Sequence, residues 1–127
     1  MLYLIVFLGA GLGGALRHGV NVGAARLFGF GFPVGTLAVN VVGSLLMGLF
    51  AGYFAYRTGI SQHMRLFLTT GVLGGFTTFS AFSLDTALLI ERNAYMQAGI
   101  YVVTSMLVSV VAIFAGLALF RTAGQLP

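Results

Sequence analysis

The chain has 127 residues, of which 59% are hydrophobic and only 6% are charged. A soluble domain carries about 25% charged residues, so this chain could not cover its own surface in water and must be surrounded by lipid. Its net charge of +4 comes from arginines scattered along the chain, set against Asp85 and Glu91, and this scatter argues against nucleic-acid binding. The chain has no cysteine, which excludes disulfide and thiol chemistry.

Four apolar segments are long enough to cross the hydrocarbon core, which takes about 20 apolar residues in a helix. They run from about Leu2 to Ala25, from Val34 to Tyr56, from about Leu66 to Ile90, and from Ala94 to Phe120. The connections are short, which makes neighbouring helices antiparallel. The sequence therefore predicts an all-α membrane protein in which residues 1–127 form a single four-helix transmembrane domain. The first segment is interpreted as a retained span and not as a signal peptide.

The arginines divide equally between the two sides of the membrane. The side that holds the two termini carries Arg57, Arg65 and Arg121. The opposite side carries Arg26, Arg92 and Arg17. Orientation normally follows an excess of Lys and Arg in cytoplasmic loops, and this chain has no such excess. Either a subtler feature fixes one orientation, or the chain inserts both ways and pairs with its own inverted copy. The equal division favours the second interpretation.

Glycines recur at a spacing of four in three of the spans, as Gly9 and Gly13, Gly48 and Gly52, and Gly71 and Gly75. Small residues at this spacing let helix backbones approach closely in lipid. The pattern predicts tight helix packing, either within one chain or between two chains.

Arg17 lies late in the first span, and two roles are open for it. An arginine near a helix end usually extends its charged group to the membrane interface. Alternatively, Arg17 guards an aqueous vestibule and raises the local concentration of anions.

Polar side chains repeat every four residues on the second and fourth spans, as Thr36, Asn40 and Ser44 on one and Tyr101, Ser105 and Ser109 on the other. This spacing places each set on one helix face. Amide and hydroxyl groups donate hydrogen bonds, so two facing stripes could form a polar track for an anion that must bind weakly enough to leave. The alternative is that these groups bond between helices or to carbonyls of their own helix.

The third span reads TTGVLGGFTTFSAFSLD from Thr69 to Asp85. Its glycines are poor helix formers and a Thr-Thr pair follows them, so we expect a break in the helix near Gly74 to Thr78. Irregular backbone at membrane depth occurs where it is buried in protein or lines a cavity. Freed carbonyls there would suit a hard cation such as Na⁺. The alternative is a packing kink without a bound ion.

Phe76, Phe79 and Phe82 share one face of the same span. An aromatic ring has a positive edge, so edges presented to a pathway would attract a small anion. The ordinary alternative is a stripe that faces lipid or the protein core.

Three segments resemble those of the Fluc/CrcB fluoride channels, namely GGALRH over Gly13–His18, GTLAVNVVGS over Gly35–Ser44 and GVLGGFTTFSAFS over Gly71–Ser83. The resemblance extends over all four spans and is most specific in the third. It implies an antiparallel, dual-topology homodimer with two fluoride pores, located in the plasma membrane, which is the bacterial inner membrane.

The resemblance also implies particular site residues. The pore asparagine falls on Asn40, and two phenylalanines whose ring edges meet the ion fall on Phe79 and Phe82. The fourth-helix residues of the pore are Tyr101 and Ser109, with Ser105 between them, and the polar stripe of the second span adds Thr36 and Ser44 to this predicted pore.

A structural Na⁺ at the dimer centre is implied on the backbone carbonyls of Gly74 and Thr77 from both subunits, and the arginine of the first helix falls on Arg17. Two departures are visible in the third span. Asp85 stands where Glu is commoner, and Ala81 stands where Thr is frequent, so one hydroxyl contact is missing.

The function implied is a fluoride-selective channel that relieves fluoride toxicity by passive F⁻ export, driven by the membrane potential. No phosphate-binding loop, nucleophile elbow or carboxylate pair suggests an enzyme. Two alternatives remain. A small dual-topology multidrug-type transporter would need a membrane-embedded carboxylate, and the first span has none. A structural subunit of a larger complex would show no transport by itself.

Overall fold

The computed structural model describes residues 1–57 and 59–124, with the backbone alone for Tyr56 and residues 121–124. The Arg121 side chain, which entered the count of charges, and the end of the predicted domain at residues 125–127 lie outside the described part. The described residues form four helical spans that are long and apolar enough to cross a membrane. Their bounds are Leu2–Phe28, Val34–Tyr56, Gln62–Glu91 and Tyr95–Gly124.

The ends of the spans show why they begin and stop where they do. The first helix ends at Gly29, whose φ of 76° is a left-handed conformation that glycine adopts without strain. The third span begins at Gln62, before the predicted Leu66, because the Ser61 side chain accepts a hydrogen bond from the Met64 N–H and caps the helix. The four-span prediction is confirmed.

The third span is irregular over half of its length. An α-helical turn, Gln62–Leu66, leads into a π-helical stretch, Phe67–Leu73, and a last turn, Gly74–Phe76. Thr77 and Thr78 are extended, and helix resumes at Phe79–Glu91. The break therefore falls inside the predicted window, whereas the sequence analysis did not predict the π-helical stretch.

The spans pack in two pairs through glycine. A Cβ at Gly9 in the first span would lie 2.8 Å from the Phe67 carbonyl oxygen of the third span. A Cβ at Gly116 in the fourth span would lie 2.6 Å from the Leu45 carbonyl oxygen of the second. Contacts this close are possible only without a side chain. The glycine pairs of the sequence analysis thus pack helices within one chain.

The buried core lies between the second half of the third span and the fourth span. It consists of Phe82, Leu89, Ala98 and Tyr101. Large apolar side chains such as Phe7 and Phe114 are exposed on the outer faces of the spans, as expected for a surface in contact with lipid.

Candidate functional site

A groove of about 330 Å³ lies where the break in the third span faces the second and fourth spans. Most of the predicted pore residues line it, namely Asn40, Ser44, Phe79, Phe82, Ser105 and Ser109. None of the residues that line this groove is charged. The fold thus brings Asn40 and Ser44 of one polar stripe, Ser105 and Ser109 of the other, and two phenylalanines to the same groove.

Asn40 joins the second span to the break. The Thr78 N–H donates to Asn40 Oδ1 over 2.8 Å, and Asn40 Nδ2 donates to the Thr78 carbonyl over 3.0 Å. In a continuous helix that N–H would bond to the Gly74 carbonyl, four residues earlier. The amide oxygen therefore takes the place of the helical acceptor that the Thr78 N–H lacks. Because an amide nitrogen has two hydrogens, one N–H of Asn40 remains for a ligand in the groove.

Two further groups stabilise the ends of the broken helix. The half-buried Arg17 donates from Nε to the Gly75 carbonyl over 3.2 Å, at the C-terminal end of the first half. A cation there satisfies an orphan carbonyl and complements the helix dipole. The Thr78 hydroxyl accepts from the Ala81 N–H and caps the second half. Arg17 is thus bound to the break, a contact that neither of its predicted roles included.

The serine hydroxyls of the fourth span differ from the other polar groups of the groove. The Oγ atoms of Ser105 and Ser109 are buried and have no hydrogen-bond partner among the described residues. A buried hydroxyl without a partner costs about 1–3 kcal/mol. Within the described part of the chain, neither hydroxyl bonds to another helix or to its own helix, which were the alternatives that the sequence left open. Both remain able to donate to a bound anion.

Aromatic rings form a continuous row from the groove inward. Phe79 is 79% exposed, and its ring centroid lies 5.5 Å from that of Phe82. Phe82 in turn lies 5.1 Å from Tyr101, which is fully buried. Phe79 and Phe82 therefore run from the surface of the chain toward its core, whereas Phe76, the third member of the predicted stripe, lies before the break in the helix.

Thr36 and Tyr101 lie beyond the groove. Both are buried, and the Tyr101 hydroxyl donates to Asp85 Oδ2 over 3.2 Å. Thr36 and Asp85 line a second space of about 420 Å³, here called the loop cavity, whose walls also include Phe32, Leu89 and Arg92. The partner of Asp85 in the structure is thus a tyrosine and not an arginine. The assignment of Thr36 and Tyr101 to the pore stays a prediction.

The backbone at the break offers oxygen atoms on its open side. Gly74 is exposed, and a Cβ added there would meet only the Thr69 carbonyl oxygen, at 3.7 Å. In a continuous helix the Gly74 carbonyl would accept from the Thr78 N–H, but that N–H donates to Asn40 instead. With the extended Thr77 beside it, this segment could present carbonyls to a cation.

Gly43 is a residue of the site that the sequence analysis missed. A Cβ at this buried position would collide with the Thr77 side chain, so only glycine lets the second span approach the break. Its place three residues after Asn40 is a weak signal, because glycine is frequent throughout the chain.

The chain is similar to known proteins over most of its length. A family model described as "CrcB-like protein, Camphor Resistance (CrcB)" matches residues 4–117. A protein of Rhodopseudomonas palustris (strain BisB5) named "Fluoride-specific ion channel FluC" is 58% identical over 121 residues, 95% of this chain and 98% of that protein. A protein of the same name from Methylobacterium nodulans is also 58% identical, over 95% of this chain and 97% of its own length. One from Granulibacter bethesdensis is 55% identical, over 96% of each chain.

Proposed function

The chain belongs to the CrcB family, and we propose that it is a fluoride-specific ion channel that exports F⁻ passively. The observation that carries this proposal is the match of nearly the whole chain to relatives of that name. The chain is a multi-pass membrane protein, which in bacteria lies in the inner membrane, and its family consists of channels and not enzymes. Membership in this family sets the multidrug-type transporter aside.

The chemistry of the groove suits a small anion that must lose its water. Fluoride is a strong hydrogen-bond acceptor, and the groove offers uncharged donors at Asn40, Ser44, Ser105 and Ser109. The two orphan hydroxyls of the fourth span would gain a partner when the ion arrives. Because none of these donors is charged, binding is weak enough to let the ion leave.

The phenylalanines would complete the path. Phe79 and Phe82 face the same groove as the donors, and the positive edges of their rings would contact the anion. An inside-negative potential then drives export with about 2.3 kcal/mol per unit charge for each 100 mV. No coupled energy source is needed.

We propose further that two copies pair as an antiparallel homodimer in the membrane. The groove is open along one side, and its aromatic ring Phe79 is 79% exposed on a single chain. A second copy would cover this ring and close the pathway against lipid. The equal division of arginines fits chains inserted in both orientations. Two such grooves would make two pores.

The sodium site belongs to the same proposal. The carbonyls of the exposed Gly74 and the half-buried Thr77 would suit a hard cation with oxygen ligands, but a single chain supplies only part of a coordination shell. The same atoms of a second copy would extend that shell. Na⁺ held there would offset the partial negative charge of carbonyls that the break leaves without helical donors.

The test of the function is ion release from liposomes. Purified protein is reconstituted into vesicles loaded with equal KF and KCl, valinomycin is added, and ion-selective electrodes record both anions. We expect rapid F⁻ release with Cl⁻ retained, whereas protein-free vesicles release neither. Silence from folded, dimeric protein would favour the structural-subunit alternative, and equal release of both anions would refute fluoride selectivity.

The assembly has its own test, because the chain lacks cysteine. A single Gln62→Cys substitution places a thiol at the exposed first residue of the third span. A membrane-impermeant thiol reagent added to intact cells should label about half of the copies if the chain inserts in both orientations. Labelling of all copies or of none would show one fixed orientation. Replacing Na⁺ by a large organic cation should weaken the dimer.

A further inference from the structure

The loop cavity is closed on one side by a short connection that none of the assignments above uses. Residues 29–33 join the first two spans, and the Phe32 ring in this loop packs against the buried core of Phe82, Leu89, Ala98 and Tyr101. The Phe32 and Tyr101 ring centroids lie 5.6 Å apart, with 85° between the ring planes. This edge-to-face arrangement is favourable beyond the burial of its area.

The Tyr101 ring is therefore contacted by two phenylalanine rings, Phe82 and Phe32. Phe82 contacts the tyrosine ring from the groove, and Phe32 contacts it from the loop cavity. The Tyr101 hydroxyl is held by Asp85. Tyr101 is thus fixed between one ring that lines the groove and one ring that lines the loop cavity, and by one hydrogen bond.

The loop that carries Phe32 is bonded to the connection between the third and fourth spans, which lies on the same side of the membrane. The Arg92 guanidinium donates to the Gly31 carbonyl, next to Phe32 in the chain, and also to Gln97 Oε1 over 3.5 Å. Asn93, which follows Arg92, has a φ of 63°, so the chain turns sharply there. Arg92 and Gly31 both line the loop cavity, so their bond joins two parts of its wall.

We propose that Phe32 and Arg92 are positioning residues for ion selectivity. Arg92 fixes the loop, the loop fixes Phe32, and Phe32 keeps Tyr101 in place as the barrier between the groove and the loop cavity. This inference rests on the proposed fluoride channel and adds two residues outside its predicted pore. When the ring is lost, the barrier loosens, and an ion larger than fluoride passes more easily.

The functional test compares two phenylalanines of the same loop. Phe32→Ala should lower the ratio of F⁻ to Cl⁻ release by about tenfold, which is the fold-change that corresponds to the interaction energy of one aromatic pair. Phe32→Tyr keeps the ring and should restore the ratio. Phe30→Ala is the matched control, because Phe30 is 87% exposed and should leave the ratio unchanged. A Phe32→Ala protein that conducts with wild-type selectivity would overturn the proposal, whereas silence of the wild type would refute the channel itself.

A second measurement does not depend on transport. Ala98 is 5% exposed and lies in the core that Phe32 covers, so Ala98→Cys creates a single shielded thiol. Its reaction with a small water-soluble thiol reagent should accelerate at least about tenfold when Phe32→Ala removes the covering ring. Arg92→Ala should give a smaller acceleration, and Arg26→Ala, an exposed arginine on the same side, should give none. Equal rates in all variants would show that Phe32 does not shield this core.

Discussion

The groove and the loop cavity are similar in size but differ in how their polar groups are used. Beside the loop cavity two polar contacts are made within the protein, Tyr101 with Asp85 and Arg92 with Gly31. In the groove the hydroxyls of Ser105 and Ser109 are buried without a partner among the described residues. Unpaired donors are costly in a membrane, so these two hydroxyls support the proposed anion site, whereas the paired groups stabilise the fold.

Asn40 has both properties, because its side chain is paired within the protein and also keeps a donor for a ligand. It is paired with the backbone of Thr78, and it still has one free N–H toward the groove. Both the shape of the break and the binding of the ion therefore depend on the same side chain. Substitutions at this position should have larger effects than those elsewhere in the molecule.

Asn40→Ala should have the largest effect. It removes two hydrogen bonds to Thr78, at a cost of about 1–3 kcal/mol in the free energy of unfolding, and should abolish measurable F⁻ release. Asn40→Asp should not rescue the protein, because its carboxylate accepts from the Thr78 N–H but sets a second oxygen against the Thr78 carbonyl and adds a charge that is costly in the membrane and repels an anion. It should fold no better than Asn40→Ala and should not conduct. Wild-type release from either protein would contradict the role of Asn40.

Phe79→Leu should have the next largest effect. Leucine keeps an apolar side chain at this exposed position but removes the ring edge, so F⁻ release should fall about tenfold, corresponding to an aromatic contact of about 1.4 kcal/mol. Phe114→Leu is the matched control, because Phe114 is 63% exposed on the outer face of the fourth span. Efflux rates at equal protein density provide the measurement. Equal losses in both variants would mean that Phe79 acts only as packing area.

Tyr101→Phe should have the smallest effect. It keeps both ring contacts and removes the hydroxyl that donates to Asp85. One hydrogen bond is worth about 1 kcal/mol, so we expect a loss of thermal stability of a few degrees and a change in F⁻ release of only a few-fold. Abolished release from the folded variant would instead place the Tyr101 hydroxyl in the ion path.

The sequence was sufficient to predict features that depend on local pattern. The four apolar segments predicted the four spans, and glycine followed by two threonines predicted the break. The spacing of Asn40 and Ser44 predicted that they share a helix face, and both line the groove. Each of these follows from helix periodicity or local propensity. Sodium binding and pairing with a second copy stay predictions.

Features that depend on contacts between distant residues could not be predicted in this way. The bonds of Asn40 to Thr78 join residues 38 positions apart, and that of Arg17 to Gly75 joins residues 58 apart. Periodicity shows that a polar group lies on a face but not which group it meets. For the same reason the sequence could not distinguish the partnered Tyr101 from the unpartnered Ser105 on the same helical stripe.

The measurement that tests this account most directly is F⁻ release together with thermal stability for the double substitution Ser105→Ala and Ser109→Ala. Removal of two unpartnered buried hydroxyls should leave stability unchanged or raise it by about 1 kcal/mol or more, while F⁻ release falls more than about tenfold. Ser83→Ala, an exposed serine of the third span, should change neither quantity. Unchanged F⁻ release from the double variant would contradict the claim that these hydroxyls carry the ion.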